Sequence, residues 1–118
     1  VDHILGAQLA VKHLIKDEQC NNIVFISGPK NEKSAIDRLT GFTLALNEAN
    51  HPVKTTICYG DFGIESGYLN VKSLLEKGKT FDSIFCANDA MAIGSMRACN
   101  EFGIDIPNEV KIVGYDNN

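Results

Sequence analysis

The chain has 118 residues, of which 44% are hydrophobic and 22% are charged, and its formal net charge is −4. This length supports a single hydrophobic core, the composition excludes intrinsic disorder, and no apolar run is long enough to cross a bilayer. Acidic and basic residues are interleaved along the whole sequence, so the chain lacks a basic surface for phosphate backbones. We therefore do not expect it to bind DNA tightly by itself.

Helix-like and strand-like patterns alternate along the chain, with no linker between them. Ser34 is predicted to be an N-cap, with Asp37 at the capping-box offset, and Gly78 and Gly103 are predicted to end the third and fourth helices. Apolar strands between helices predict an α/β fold, a three-layer parallel sheet with helices on both faces. The predicted helices cover about 2–16, 34–50, 64–77 and 88–102, and the strands about 23–27, 54–59, 83–87 and 111–115.

The cysteines and histidines show no sign of a disulfide framework or a metal site. No C-x-x-C pair occurs, which predicts free thiols packed as small hydrophobes in a reducing, cytosolic setting. The histidines lack carboxylates or cysteines at metal-ligand spacing and are predicted to be surface or edge residues. The residues concerned are Cys20, Cys58, Cys86, Cys99, His3, His13 and His51.

No motif for catalysis stands out. The loop over residues 28–34 lacks the second glycine and the Gly-Lys-Ser/Thr ending of a phosphate-binding loop, and no dinucleotide fingerprint or G-x-S-x-G elbow is present. Without a candidate nucleophile, general base or metal, the sequence predicts neither enzymatic activity nor a cofactor.

Polar and aromatic side chains follow the carboxyl end of every predicted strand. Because these ends share one edge of a parallel sheet, we expect the side chains to lie close together. A guanidinium, an amide and a carboxylate can pair with vicinal hydroxyls, and an aromatic ring adds an apolar face, which suits a sugar or similar polyol. The candidate ligand-binding residues are Ser34, Arg38, Phe62, Asn88 and Asp116.

Three of these residues also have simpler explanations. Asparagine is a preferred N-cap residue, so Asn88 fits the start of a helix without any ligand. Arg38 fits a solvated helix position, and Asp116 fits the start of a turn.

Several stretches resemble the effector-binding core of lactose-repressor and galactose-repressor type transcriptional regulators. They are Arg-Leu-Thr-Gly-Phe at 38–42, Ala-Asn-Asp-Ala-Met-Ala-Ile-Gly at 87–94, Gly-Ile-Asp-Ile-Pro at 103–107 and Val-Gly-Tyr-Asp-Asn at 113–117. The resemblance spans nearly the whole chain. It departs from the family's usual pattern at His3 and at residues 19–22.

The resemblance implies that residues 1–118 are the C-terminal subdomain of a periplasmic-binding-protein-like effector domain. The helix-turn-helix and the N-terminal subdomain would lie outside this chain. It further implies that the five candidate residues line a cleft for a small-molecule effector, a sugar. DNA would be contacted only through the absent domain of a cytoplasmic protein, with no membrane partner.

The resemblance also implies a homodimer that forms partly through the third and fourth helices. In the fourth helix, Ile93 and Met96 are apolar beyond what one buried stripe needs, and they are the candidate interface residues. The small residues Ala90, Gly94 and Ala98 form a strip that we expect to pack against the sheet.

The leading hypothesis is therefore the ligand-sensing part of a transcriptional repressor. A periplasmic sugar-binding protein of a transport system shares the architecture and is the main alternative. An α/β enzyme or a receiver-type signalling domain is a third possibility, because fold alone does not determine function.

Overall fold

The computed structural model describes residues 2–115, and over this range helices and strands alternate as a series of α/β units. In chain order the elements are α1 His3–Lys16, β1 Asn22–Ser27, α2 Lys33–Glu48, β2 Lys54–Tyr59, α3 Ile64–Glu76, β3 Ser83–Cys86, α4 Asp89–Glu101 and β4 Lys111–Gly114. No helix within the described range is both long and apolar enough to span a membrane.

The strands form one parallel sheet in the order β2-β1-β3-β4. The α/β class and the parallel sheet are thus confirmed. From β1 the chain proceeds to one side of the sheet, and from β3 it proceeds to the other. Such a reversal of strand order leaves a crevice at the carboxyl ends of the two central strands, and ligands of open α/β sheets bind there.

Helices cover both faces of the sheet, as predicted. Phe25 of β1 stacks on Phe42 of α2 with ring centroids 4.8 Å apart, and Phe85 of β3 lies on the same face. The next residue, Cys86, contacts Ser95 of α4 with 3.4 Å between sulfur and oxygen. Because side chains alternate along a strand, α2 and α4 lie on opposite faces.

Glycines allow the two helices on each face to approach closely. A Cβ at Gly41 of α2 would collide with the Ile4 carbonyl of α1, and one at Gly94 of α4 would collide with the Ile64 carbonyl of α3. The expectation that the strip containing Gly94 packs against the sheet is therefore wrong at this residue. Two helices on one sheet face are neighbours, and here the missing side chain lets their backbones touch.

The prediction that Ser34 caps α2 is also wrong. This helix begins at Lys33, and Glu32 occupies the N-cap position without a side-chain hydrogen bond. Asp37 pairs with Lys33, 2.7 Å away, instead of completing a capping box. Ser34 therefore lies inside the first turn, whereas a capping residue needs the extended backbone that Glu32 has.

The other predicted helix ends agree more closely with the structure. Asn88 caps α4, its side-chain oxygen accepting from the Met91 N–H at 3.0 Å. Gly78 and Gly103 follow α3 and α4 with φ angles of +74° and +70°. These left-handed conformations favour glycine and end the helices where the sequence predicts.

Cys20, Cys86 and Cys99 are buried free thiols, as predicted, whereas Cys58 on β2 is half-buried. Burial raises the pKa of Cys86 to about 12 and that of Cys99 to about 11. Both thiols therefore stay protonated at neutral pH and serve as packing groups.

The interpretation of the histidines needs one correction. His13 does have a carboxylate within reach, because its Nδ1 lies 2.8 Å from Asp17. One turn of helix separates the two residues, a spacing that brings their side chains together. No group of three or more metal-ligating side chains occurs within residues 2–115.

Candidate functional site

The carboxyl edge of the sheet brings together residues from four separate parts of the chain. Arg38 lies in the second turn of α2, Phe62 in the loop after β2, and Asn88 at the start of α4. Tyr115 follows β4 directly and joins them. The structure thus places three of the predicted site residues on one rim.

Arg38 lies between two aromatic rings. Its guanidinium carbon is 5.4 Å from the ring centroid of Phe62 and 5.2 Å from that of Tyr115. Cations within about 6 Å of a ring face are attracted by its quadrupole. The side chain is only 8% exposed, so the interpretation of Arg38 as a solvated helix residue is wrong.

The hydrogen bonds of Arg38 leave part of the guanidinium unused. Its Nη1 donates to the Ser34 carbonyl at 3.0 Å, one helical turn earlier. Its Nε is buried without a hydrogen-bond partner in residues 2–115. An arginine carries five N–H donors, and an unpartnered buried donor is unfavourable unless something binds it.

Ser34 contributes its backbone carbonyl to this arrangement, and its half-buried side chain lies in the first turn of α2. The hydroxyl itself has no role in the local hydrogen bonds that hold Arg38. It remains a candidate ligand contact by its position alone.

The loop of Phe62 is held in an uncommon conformation. Phe62 has a φ of +71°, a left-handed value that costs energy for a bulky residue. Its ring lies directly over Gly28, where a Cβ would collide with the ring. The Asn88 Nδ2 donates to the Phe62 carbonyl at 2.8 Å.

Asp61 stabilises the same loop from the other side. Its carboxylate accepts from the Gly63 N–H at 2.8 Å, and its own N–H donates to the Ser66 hydroxyl at 3.0 Å. The Gly63 N–H, followed by Ser66, lowers the pKa of the Asp61 carboxyl. Hydrogen bonds to the charged form have this effect, so the carboxylate stays ionised while it holds the turn.

Asn88 therefore has two local functions at once. Its side-chain oxygen caps α4 and its amide nitrogen holds the Phe62 loop. The simpler explanation as an N-cap is correct, and it does not exclude a contact with a ligand, because one amide hydrogen remains beyond these two bonds.

Three predicted residues need separate comment, as does one that the sequence analysis does not single out. Asp116 lies outside the described residues. Ile93 and Met96, the candidate interface residues, are 47% and 37% exposed on α4. The sequence analysis assigns Tyr115 only to the last strand and to the Val-Gly-Tyr-Asp-Asn stretch, although its position just before Asp116 marks it as a neighbour of the site.

Two cavities in the described part of the chain lie away from this edge. One of about 590 Å³ is lined by residues such as Ile15, Asn21, Ala45 and His51, and one of about 570 Å³ by residues such as Asn22 and Lys54. Both are at the amino ends of the strands. Neither of these two cavities is lined by a candidate residue of the carboxyl edge.

Comparison with known proteins identifies the family. The sequence profile of the periplasmic binding protein-like domain matches residues 11–118. This chain belongs to that family. The comparisons also confirm the predicted resemblance to lactose-repressor and galactose-repressor type regulators. The relatives and structural neighbours of the chain are regulators of this type.

Among its relatives is the HTH-type transcriptional repressor PurR of Actinobacillus pleuropneumoniae serotype 3 (strain JL03), with 38% identity over 95% of the chain and 33% of the relative. The repressor of the same name from Photorhabdus laumondii subsp. laumondii is 36% identical, with the same two coverages of 95% and 33%. The chain thus spans about one third of the length of these curated relatives. They are named as repressors and not as enzymes.

Solved structures agree with this assignment. A sugar-binding transcriptional regulator (LacI family) from Escherichia coli, complexed with phosphate, superposes with a TM-score of 0.89 at 33% identity, covering 100% of this chain and 42% of that one. The CelR regulator in complex with cellobiose gives 0.89 at 30%, covering 100% and 36%. The dimeric Lac repressor gives 0.87 at 32%, covering 98% and 42%.

Proposed function

We propose that this chain is the C-terminal subdomain of the effector domain of a transcriptional repressor. The observation that supports this most directly is the placement of Arg38 between Phe62 and Tyr115, beside Asn88, at the carboxyl edge of the sheet. A preorganised cation, an aromatic face and an amide form a polar recognition surface. They lie where ligands of open α/β sheets bind.

In this proposal the ligand is a small polyhydroxylated molecule, a sugar. The Arg38 guanidinium and the Asn88 amide donate hydrogen bonds to its hydroxyls, and the Ser34 hydroxyl adds another contact. The ring of Phe62 packs on the apolar face of the sugar. Asp116, which follows Tyr115 directly, supplies a carboxylate that accepts from two hydroxyls.

In this proposal the chain provides only one wall of the cleft. The second wall is the other subdomain of a longer protein, and the ligand closes the two walls together. Closure shifts the population between forms that bind DNA well and poorly. DNA binding belongs to a helix-turn-helix outside this chain, and the protein acts as a homodimer in the cytoplasm.

The relatives support gene regulation over the alternative of sugar transport. Both named relatives are transcriptional repressors, and the family profile describes a fold that the two functions share. The sequence upstream of Val1 would distinguish gene regulation from sugar transport directly. A helix-turn-helix there agrees with the repressor, and a secretory signal peptide agrees with transport.

The test is calorimetric titration of sugars, beginning with cellobiose, against the longer protein that contains this chain. Arg38→Met removes the donors and keeps a chain of similar length. We expect its affinity to fall about 10-fold to 100-fold, the effect of losing charged hydrogen bonds. Arg97→Met is the matched control, because Arg97 is the other arginine of the sequence and is exposed on α4.

An equal loss in both variants would indicate a general effect of charge and not a site at Arg38. Unchanged affinity in Arg38→Met would remove this residue from the proposal. Failure of the wild-type protein to bind any sugar in the series would refute a sugar effector.

A further inference from the structure

We propose that Tyr115 is a positioning residue that holds Arg38 in place for the ligand, with α1 supporting the tyrosine from behind. This inference rests on the proposed function, because it concerns the same binding surface. It adds a residue that would act on the ligand through Arg38.

The backbone of Tyr115 is fixed by the sheet. Its N–H donates to the Cys86 carbonyl at 2.9 Å, which extends the pairing of β3 and β4 by one bond. The side chain therefore leaves a defined point at the carboxyl edge. From there its ring centroid lies 5.2 Å from the Arg38 guanidinium carbon.

The first turns of α1 support the same ring. A Cβ at Gly6 would lie 2.6 Å from Cε1 and 2.8 Å from Cζ of Tyr115, so only glycine leaves room for the ring in this place. The His3 ring meets it edge-on, with 5.9 Å between centroids and an interplanar angle of 78°. Tyr115 is thus enclosed by α1 on one side and Arg38 on the other.

Hydrogen bonds alone hold Arg38 only weakly. Among the described residues its guanidinium makes one hydrogen bond, to the Ser34 carbonyl, and its Nε has no partner. An arginine has several rotatable bonds, and ordering it costs entropy that a binding site must otherwise supply when the ligand arrives. The two rings therefore account for much of the order of this side chain before the ligand binds.

The sequence contains a natural comparison for this arrangement. Its only other arginine, Arg97, lies over Tyr68 with 4.4 Å between guanidinium carbon and ring centroid. Arg97 is exposed, whereas Arg38 is 8% exposed and lies between two rings. With two arginines, each near a different tyrosine, the Nε–Hε signals of the two side chains can be followed separately.

The experiment records arginine Nε–Hε spectra of the 118-residue chain by NMR, with the rate of solvent exchange at each Nε–Hε. In Tyr115→Leu we expect the Arg38 signal to lose the part of its ring-current shift that comes from Tyr115 and to exchange about fivefold faster, the effect of one cation–π contact. Tyr115→Phe should keep the wild-type Arg38 signal. Tyr68→Leu is the matched control and should change only the signal of Arg97.

Gly6→Ala gives an independent test, because it displaces the Tyr115 ring from the side opposite Arg38. It should move the Arg38 signal and leave that of Arg97 unchanged, and it decides the matter if Tyr115→Leu does not fold. An unchanged Arg38 signal in folded Tyr115→Leu, or in Gly6→Ala, would overturn the proposal.

Titration of cellobiose into the longer protein tests whether the Tyr115 contact with Arg38 affects ligand binding. Tyr115→Leu should weaken binding about fivefold, and Tyr115→Phe should restore it. If wild type binds neither cellobiose nor any other sugar of the series, the proposed sugar effector fails while the NMR result still decides the role of Tyr115. If sugar binds equally well to wild type and Tyr115→Leu, the positioning role fails while the proposed function stands.

Discussion

At the scale of single residues, Asn88 shows how one short side chain serves both helix and loop. Its oxygen satisfies the Met91 N–H at the start of α4, and its nitrogen satisfies the Phe62 carbonyl. The second bond helps to keep Phe62 at a φ of +71°. The cap at the start of α4 and the shape of the candidate site therefore depend on the same amide.

Substitutions at Asn88 separate these two functions. Asn88→Ala removes both bonds, and we expect it to lower the free energy of unfolding by about 1–3 kcal/mol. Asn88→Ser keeps a capping oxygen and loses the bond to Phe62, so its loss should be smaller. Urea unfolding followed by circular dichroism measures both values.

The outcome that contradicts this account is an equal stability of Asn88→Ala and wild type. Equal losses for Asn88→Ala and Asn88→Ser would mean that the cap contributes nothing and that only the bond to Phe62 matters.

The sequence predicts Arg38, Phe62 and Asn88 at one edge because each follows a strand of a parallel sheet, and strand direction alone brings such positions together. It does not predict Tyr115, because the contact of this ring with Arg38 and Gly6 depends on how α1 crosses the sheet. The sequence also places the start of α2 one residue late, because the N-cap with extended backbone is Glu32, whose side chain makes no capping hydrogen bond.

At the scale of elements, the pairing of α3 with α4 depends on backbone contact. A Cβ at Gly94 would lie 2.6 Å from the Tyr68 nitrogen and would collide with the Ile64 carbonyl. Neither obstacle is a flexible side chain. The helices would have to separate to accept any larger residue at this position.

Gly94→Ala should therefore destabilise the chain, although alanine favours helix over glycine by about 1 kcal/mol. Overpacking typically costs about 1–3 kcal/mol, and the rigid backbone of α3 places the expected net loss toward 2 kcal/mol. Thermal unfolding gives the measurement. Asn100→Ala, at an exposed position of the same helix, is the matched control and should change stability little; a more stable Gly94→Ala would refute the close contact.

Apolar periodicity predicts the helices and strands well. Each helix buries one regular stripe of residues, and each central strand buries a whole run of them. Which neighbour a helix touches is harder to predict. The strip around Gly94 has the same sequence signature whether it meets a sheet or another helix, and the spatial order β2-β1-β3-β4 depends on long-range packing that periodicity does not encode.

At the scale of the whole molecule, apolar side chains remain uncovered on α4. Ile93 is 47% exposed and Met96 is 37% exposed. If the proposed homodimer forms through this surface, both side chains are buried on association. Scattered exposed apolar residues are ordinary, so an experiment must separate an interface from chance.

Ile93→Asp should weaken self-association about 10-fold or more, because a charge would enter an apolar contact. Sedimentation velocity over a range of concentrations measures this on the 118-residue chain and on the longer protein. Leu9→Asp is the matched control, because Leu9 is 56% exposed on α1, and it should leave association unchanged. A longer wild-type protein that sediments as a monomer at every concentration would exclude the dimer.

The position of β2 at the border of the sheet affects how the chain behaves when concentrated. Five of its six residues are exposed, only Lys54 carries a charge, and the run from Thr55 to Tyr59 contains no proline. Its outer backbone groups form a ready template for a strand from another molecule, and such segments promote fibrillar aggregation. We therefore expect this border, and not the well-packed interior, to limit the concentration at which the chain stays dispersed.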